Sequence, residues 1–214
     1  MGDVTDTVIR IGIVDDHPVV AHGTAELLGR QPGVAVVGVA GSIDEAQAAG
    51  LTDRGTVDVL LLDIRLGRES GLELLAAPSV DGQSALPAVI VLTAYDYPQY
   101  AEAALRLGAA GFVLKTAPVR ELVDAIHRVA CGGLAYAVRP GTAKPFRLTP
   151  RELGVVRLVA EGRSNDEIGV ELGIAAKTVE THLARLFERY GLGSRAELAA
   201  RAVREGWLDV PPTG

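Results

Sequence analysis

The chain has 214 residues, 48% of them hydrophobic and 22% charged, which excludes a disordered protein and leaves length for one or two buried cores. No apolar run approaches the roughly 20 residues of a membrane span, the acidic start Met1-Gly2-Asp3-Val4-Thr5-Asp6 is unlike a secretory signal, and a single cysteine excludes an intrachain disulfide framework or a multi-cysteine zinc site. The net charge of −6 argues against a nucleic-acid partner only until it is divided: residues 1–138 hold 9 Lys/Arg against 17 Asp/Glu, a balance of −8, and residues 139–214 hold 12 against 10, a balance of +2.

A cytoplasmic protein whose two halves serve different partners is therefore expected. Cys131 is expected to be a small buried side chain, the habit of a free cysteine.

After a tail over residues 1–7, apolar runs rich in β-branched residues predict strands over 8–14, 34–40, 57–62, 88–92 and 111–114. Helical spacing fills the gaps, over 18–30, 43–51, 71–77, 98–107 and 119–130. Ser42 with Glu45 has the spacing of a capping box, and Pro118 suits the first turn of the last of these helices. Five strand–helix units with continuous apolar strands imply a five-stranded, doubly wound parallel sheet over residues 8–131. In such a sheet the ligand site lies beyond the carboxyl ends of the strands.

Residues 132–147 read as a linker, with two prolines and a glycine in "RPGTAKPFR". Strand signals then stop. Thr149 with Glu152, Ser164 with Glu167, and Ser194 with Glu197 each mark a helix start, and a fourth helix must lie between Ala175 and Tyr190. A small all-α, four-helix domain over 148–210 follows, with a tail over 211–214. No internal repeat or low-complexity tract is present.

In a parallel sheet, Asp15 and Asp16 (end of the first strand), Asp63 (third), Thr93 (fourth) and Lys115 (fifth) converge on one rim. Each has an ordinary reading alone: Asp63 as a turn former, Thr93 as a β-branched filler, Lys115 as a solvated strand end. Asp53 and Asp58 have nothing comparable nearby and read as surface residues. Together, three carboxylates in one pocket require a compensating cation. Hard oxygen ligands suit Mg²⁺, which keeps coordination positions for phosphate oxygens, while lysine and hydroxyl complete a phosphoryl site.

"IVDDHP", "VLLLDIRLGRESGLELL", "VIVLTAYD" and "GAAGFVLK" resemble the receiver domain of two-component response regulators. The resemblance implies that Asp63 accepts a phosphoryl group from a sensor histidine kinase or a small phosphodonor. It implies that Asp15, Asp16, Asp63 and the backbone carbonyl of Arg65 hold Mg²⁺, that Lys115 and Thr93 contact the phosphoryl group, and that Phe112 turns inward with Thr93. Gly67 departs from the pattern, which has proline four residues after the acceptor, and this bears on phosphoryl lifetime. Tyr95 either shields the phosphate or packs.

In the second half, residues 164–172, Gly173-Ile174 and the following helix have helix-turn-helix spacing. Val179, Leu183, Leu186 and Tyr190 make a buried stripe, which turns Lys177, Thr178, Thr181, Ala184 and Arg185 outward. "GRSNDEIG" and "KTVETHL" are similar to the LuxR-type output domain of NarL/FixJ-type regulators. This implies major-groove contact, as a homodimer, by Lys177, Thr178, Glu180, Thr181, Ala184 and Arg185, with phosphate contacts near Ser164 and Asn165; His182 meets phosphate or packs. Glu180 stands where lysine is frequent, and Ala175 where a capping serine is usual.

The expected function is a DNA-binding transcriptional response regulator, not an enzyme, switched by Mg²⁺-dependent phosphorylation of Asp63. Its partners would be DNA, a kinase and, for an activator, RNA polymerase, with no membrane. Two alternatives stay open: a ligand- or partner-controlled regulator that does not use phosphorylation, and a phosphohydrolase. The latter needs Asp-x-Asp at its nucleophile, where this chain reads Asp63-Ile64-Arg65.

Overall fold

The computed structural model describes residues 8–67, 69–76, 86–136 and 148–212, and the chain divides into two compact units, residues 1–142 and 143–214. The tail 1–7, the stretch 139–147, the expected helix end at Ala77 and residues 213–214 lie outside the described residues.

The first unit alternates strand and helix: β1 (Ile9–Val14), α1 (Pro18–Gly29), β2 (Val34–Ala40), α2 (Ile43–Ala48) and β3 (Val59–Leu62). A short antiparallel hairpin follows, β4 (Arg65–Leu66) and β5 (Glu69–Ser70), then α3 (Gly71–Ala76). The remainder is β6 (Ala88–Thr93), α4 (Pro98–Arg106), β7 (Gly111–Leu114), α5 (Val119–Ala130) and β8 (Ala135–Tyr136).

The main sheet runs β2-β1-β3-β6-β7-β8 with all neighbours parallel. Alternate residues explain why helices cover both faces. Ile11, Ile13, Val59, Leu61, Ile90 and Leu92 pack with α1 and α5, whereas Val14, Leu60, Leu62 and Val89 share the opposite core with Ala46 of α2 and Leu74 of α3. Each buried Val, Leu or Ile among these contributes about 1.5–3 kcal/mol. A one-residue slip would exchange the two sets between the two cores.

Three expectations for this unit need correction. The sheet has six strands, not five: β8 pairs with β7 inside the stretch expected as linker. Two residues carry too little periodicity to announce a strand. Tertiary contacts hold it instead, since the Tyr136 hydroxyl donates to the Ala109 carbonyl at 2.7 Å and burial pushes its phenol up to about 12. Cys131 is exposed, because it caps α5 off the buried stripe of Leu122, Ala125, Ile126 and Val129. Asp58 is more than a surface acid. The β1–β3 register sets it beside Arg10, whose Nε and Nη2 donate to its carboxylate at 3.0 and 2.7 Å. That pairing holds Asp58 below the usual carboxylate range.

The second unit holds α6 (Pro150–Ala160), α7 (Asn165–Leu172), α8 (Ala176–Tyr190), α9 (Arg195–Arg204) and a 3-10 turn, Trp207–Asp209. Complete capping boxes open α6 and α7 at Thr149/Glu152 and Ser164/Glu167. At Ser42 and Ser194 the hydroxyl accepts as expected, but Glu45 and Glu197 accept from the amides of Gly41 and Gly193, one residue upstream, each at 2.7 Å.

Val179, Leu183 and Leu186 of α8 pack with Val155, Val156, Ile168 and Leu198. Tyr190 is half-buried and closes the stripe differently from expectation, with its ring 4.8 Å from that of buried Trp207. Glu152 also ties α6 to α8, accepting from Arg189 at 2.8 Å. Burial opposes this carboxylate, but Arg189 and the Thr149 amide outweigh it and keep it below the usual range.

Candidate functional site

The strand order places β2 on one side of β1 and β3 on the other, so chain direction across the sheet reverses between β1 and β3. A crevice at the carboxyl ends is expected at such a point. Asp15 follows β1 and Asp63 follows β3, and both are buried. Lys115, following β7, brings its Nζ to 2.6 Å from Asp63 Oδ2 and 2.8 Å from Asp15 Oδ2. Burial pulls the Lys115 ammonium down, but the two carboxylates outweigh it and raise it. For Asp63 the balance is opposite: burial pushes its carboxyl up and outweighs Lys115.

The remaining Asp63 oxygen accepts from the Ile64 amide at 2.8 Å. Thr93, fully buried at the end of β6, accepts from the Tyr95 amide at 3.3 Å through Oγ1. Phe112 is also fully buried, in β7 three residues before Lys115. Asp15, Asp63 and Lys115 therefore meet on the rim, Thr93 stands at the end of the neighbouring strand β6, and Phe112 lies inside.

Asp16 occupies the outer edge of the crevice. Its Oδ2 accepts from the Gly67 amide at 2.8 Å. Gly67 has φ +64°, a conformation closed to proline, and it donates an N–H that proline lacks. The departure at Gly67 thus ties the β4–β5 hairpin to the acid cluster. Asp16 Oδ1 is buried without a hydrogen bond, although His17 Nδ1 lies 2.7 Å away. A buried carboxylate oxygen with no hydrogen bond, beside two other acids, fits a hard divalent cation. Asp15, Asp16, His17 and Asp63 offer ligand atoms within 4.8 Å of one another.

Two residues and one side-chain contact escape sequence reasoning. His17 joins the cluster, a role that the neighbouring "DDH" signals weakly. Gly71 packs under Asp63, and a Cβ there would sit 2.0 Å from the Asp63 carbonyl oxygen. Arg65 stacks on Tyr95, 4.2 Å from guanidinium carbon to ring centre, which joins the loop after Asp63 to the loop after Thr93. Tyr95 also stacks on Tyr97 at 5.5 Å.

In the second unit, Gly173 turns the chain at φ +65° between α7 and α8. Lys177, Thr178, Glu180, Thr181, Ala184 and Arg185 are all exposed on α8, opposite its buried stripe. Lys177 and Glu180 pair at 2.6 Å, and the pairing raises the Lys177 ammonium. Thr181 donates to the Lys177 carbonyl at 3.0 Å. Ala175 supplies no side-chain cap. Asn165 accepts from Arg195 at 2.8 Å, and the capping box takes up the Ser164 amide and hydroxyl, a competing use of groups expected to meet phosphate.

An acid–lysine rim on a doubly wound sheet, followed by a helix-turn-helix unit, defines a response regulator with a DNA-binding output domain. Residues 11–127 match the family model for the response regulator receiver domain, and residues 147–202 match that for bacterial regulatory proteins of the luxR family. The chain belongs to the NarL/FixJ-type two-component response regulators and is a DNA-binding transcriptional regulator.

The transcriptional regulatory protein UhpA of Salmonella typhimurium is 41% identical over 206 residues, 93% of this chain and 100% of that one. The probable transcriptional regulatory protein NarL of Mycobacterium tuberculosis is 35% identical over 212 residues, 94% of this chain and 96% of that one. Among solved structures, the RcsB–DNA complex matches with a TM-score of 0.61 at 27% identity, over 90% of this chain and 97% of that one. Among the described residues, no helix is long and apolar enough to cross a membrane.

Proposed function

We propose that Asp63 is the phospho-acceptor of this regulator and that its phosphorylation controls DNA binding by α8. The observation that carries the reading is the Lys115 ammonium between Asp63 and Asp15, at 2.6 and 2.8 Å, on the carboxyl rim of the sheet. An Asp63 oxygen attacks the phosphorus of a kinase phosphohistidine. The P–N bond breaks, and its electron pair leaves with the imidazole. Lys115 exchanges part of its contact with Asp63 for a phosphoryl oxygen and stabilises charge that develops there.

Asp15, Asp16, Asp63 and the Arg65 carbonyl would hold Mg²⁺. When bound, it supplies the positive charge that lets carboxylate and phosphoryl oxygens approach. The Thr93 hydroxyl turns from the Tyr95 amide toward the phosphoryl group, and Phe112 fills the space behind it. A local charge thus biases a two-state surface. The RcsB relative has been solved bound to promoter DNA with a phosphomimetic, which supports coupling between such a site and DNA. On DNA the chain acts as a homodimer, with Lys177, Thr178, Glu180, Thr181, Ala184 and Arg185 toward the major groove and the start of α7 toward phosphate. As an activator it would also meet RNA polymerase.

Asp63→Asn is expected to abolish labelling by a small phosphodonor with Mg²⁺; labelling at the wild-type level overturns the acceptor assignment. DNA affinity is expected to rise on phosphodonor treatment of the wild type and not of Asp63→Ala. Equal affinities throughout would favour control by a ligand or partner.

A further inference from the structure

We propose that His17 is a ligand of the Asp15–Asp16–Asp63 cation site and biases it toward divalent transition metals of the Zn²⁺ class relative to Mg²⁺. The inference rests on the reading of this rim as a cation site and adds a nitrogen donor to it. His17 Nδ1 lies 2.7 Å from Asp16 Oδ1 and 3.5 Å from Asp15 Oδ1. Metal–ligand bonds of about 2.0–2.2 Å set neighbouring donor atoms roughly 3 Å apart. The two separations bracket that spacing. The whole donor set, Asp63 included, spans no more than 4.8 Å.

The His17 backbone is held in place although its ring is exposed. Its amide donates to Asp15 Oδ1 at 3.0 Å, and Pro18 opens α1 immediately afterward. Asp16 Oδ1 is buried and has no hydrogen bond, even with the imidazole nitrogen beside it. The contact is close enough for an ion pair but is not aligned as a hydrogen bond. A shared cation would satisfy both atoms.

Donor chemistry then decides which ion benefits. Carboxylate and carbonyl oxygens suit Mg²⁺, whereas imidazole suits Zn²⁺, Ni²⁺ or Cu²⁺, whose affinities already exceed those of lighter divalent ions at mixed nitrogen–oxygen sites. Mg²⁺ gains little from a nitrogen ligand and keeps water there instead. His17 therefore matters for Zn²⁺ and hardly for Mg²⁺.

The test uses the full-length protein as wild type, His17→Ala, His17→Gln and Asp16→Asn. Zn²⁺ affinity is measured by competition with a chromophoric chelator, Mg²⁺ affinity by calorimetric titration, and folding by thermal melts. Both His17 variants are expected to lose at least about tenfold in Zn²⁺ affinity and to keep Mg²⁺ affinity within about twofold, with unchanged melting. Asp16→Asn should weaken Zn²⁺ comparably with His17 in place.

Unchanged Zn²⁺ affinity in the His17 variants overturns the inference, as does equal loss of both cations. Unchanged Zn²⁺ affinity in Asp16→Asn also overturns it, since the ion would then sit on another of the four histidines. A wild-type chain that binds Zn²⁺ through His17 but fails to bind Mg²⁺ upholds it and overturns the Mg²⁺ reading of the site.

Discussion

The Lys115 ammonium lies 2.6 Å from the Asp63 carboxylate although their strands, β7 and β3, are separated by β6. The lysine spans that gap along the rim and meets Asp15 at 2.8 Å as well. One cation thus compensates two buried acids from different strands.

Replacing that cation leaves two buried carboxylates facing each other. Lys115→Met is expected to destabilise the protein by about 3–5 kcal/mol at neutral pH, the usual result of removing one partner from a buried pair. Adding Asp63→Asn should recover part of the loss, because the neutral amide no longer repels Asp15. Urea unfolding of the two single variants and the double variant measures this; additive losses would contradict the pairing.

Gly71 carries the second expectation. A methyl group at this position would lie 2.0 Å from the Asp63 carbonyl oxygen and 3.2 Å from Leu62 Cδ1. The backbone at the acceptor must then move. Gly71→Ala is expected to cost about 1–3 kcal/mol and to slow phosphodonor labelling of Asp63. A variant with wild-type melting temperature and labelling rate would show that the loop shifts freely.

Acid should weaken the helical unit through Glu152. Its folded carboxyl is depressed by Arg189 and the Thr149 amide against the opposing effect of burial. A depressed pKa contributes stability that is fully present above the unfolded carboxylate value. That contribution is lost as pH falls through the lower folded value. Glu152→Gln should therefore be less stable than wild type at pH 7 by about 0.5–2 kcal/mol, with the gap closing in acid below about pH 4.3. Arg189 is half-exposed, so water screens its share of the difference. Unfolding curves over that range check it, and a constant gap would reject the assignment.

Glu180 restrains the charge that α8 presents. It pairs with Lys177 at 2.6 Å on the exposed face. Glu180→Ala is expected to tighten non-specific DNA binding and to steepen its salt dependence by about one unit of slope, as a released lysine gains a phosphate contact. It should also reduce discrimination if the glutamate reads cytosine. Affinity against salt on specific and random duplexes separates the two effects. No change in either would place Glu180 away from the DNA.

Much of this architecture is legible along the chain because its strands are continuous apolar runs and its helices carry punctuation. β2 and β7 begin and end where periodicity places them, and α5 spans the expected residues 119–130. Thr149/Glu152 and Ser164/Glu167 announce α6 and α7 through hydrogen bonds three residues apart. The rim residues are legible for a related reason: a parallel sheet gathers whatever follows its strands. What escapes depends on contacts between distant residues. The two-residue strand β8 exists because Tyr136 finds the Ala109 carbonyl, and Trp207 enters the core beside Tyr190.

Local spacing by itself determined the order of the five long strands and of the helices, the division of charge between the halves, and the identity of the acids, hydroxyl and lysine on the rim. Those properties depend on neighbours a few residues apart, or on the single rule that parallel strands share one carboxyl end. The tertiary structure decided that Lys115 bridges Asp15 and Asp63, that Gly67 secures Asp16, that Arg65 clasps Tyr95, and that His17 turns its ring toward the acids. Such pairings are set by side-chain reach and burial in the folded chain, which no local pattern encodes.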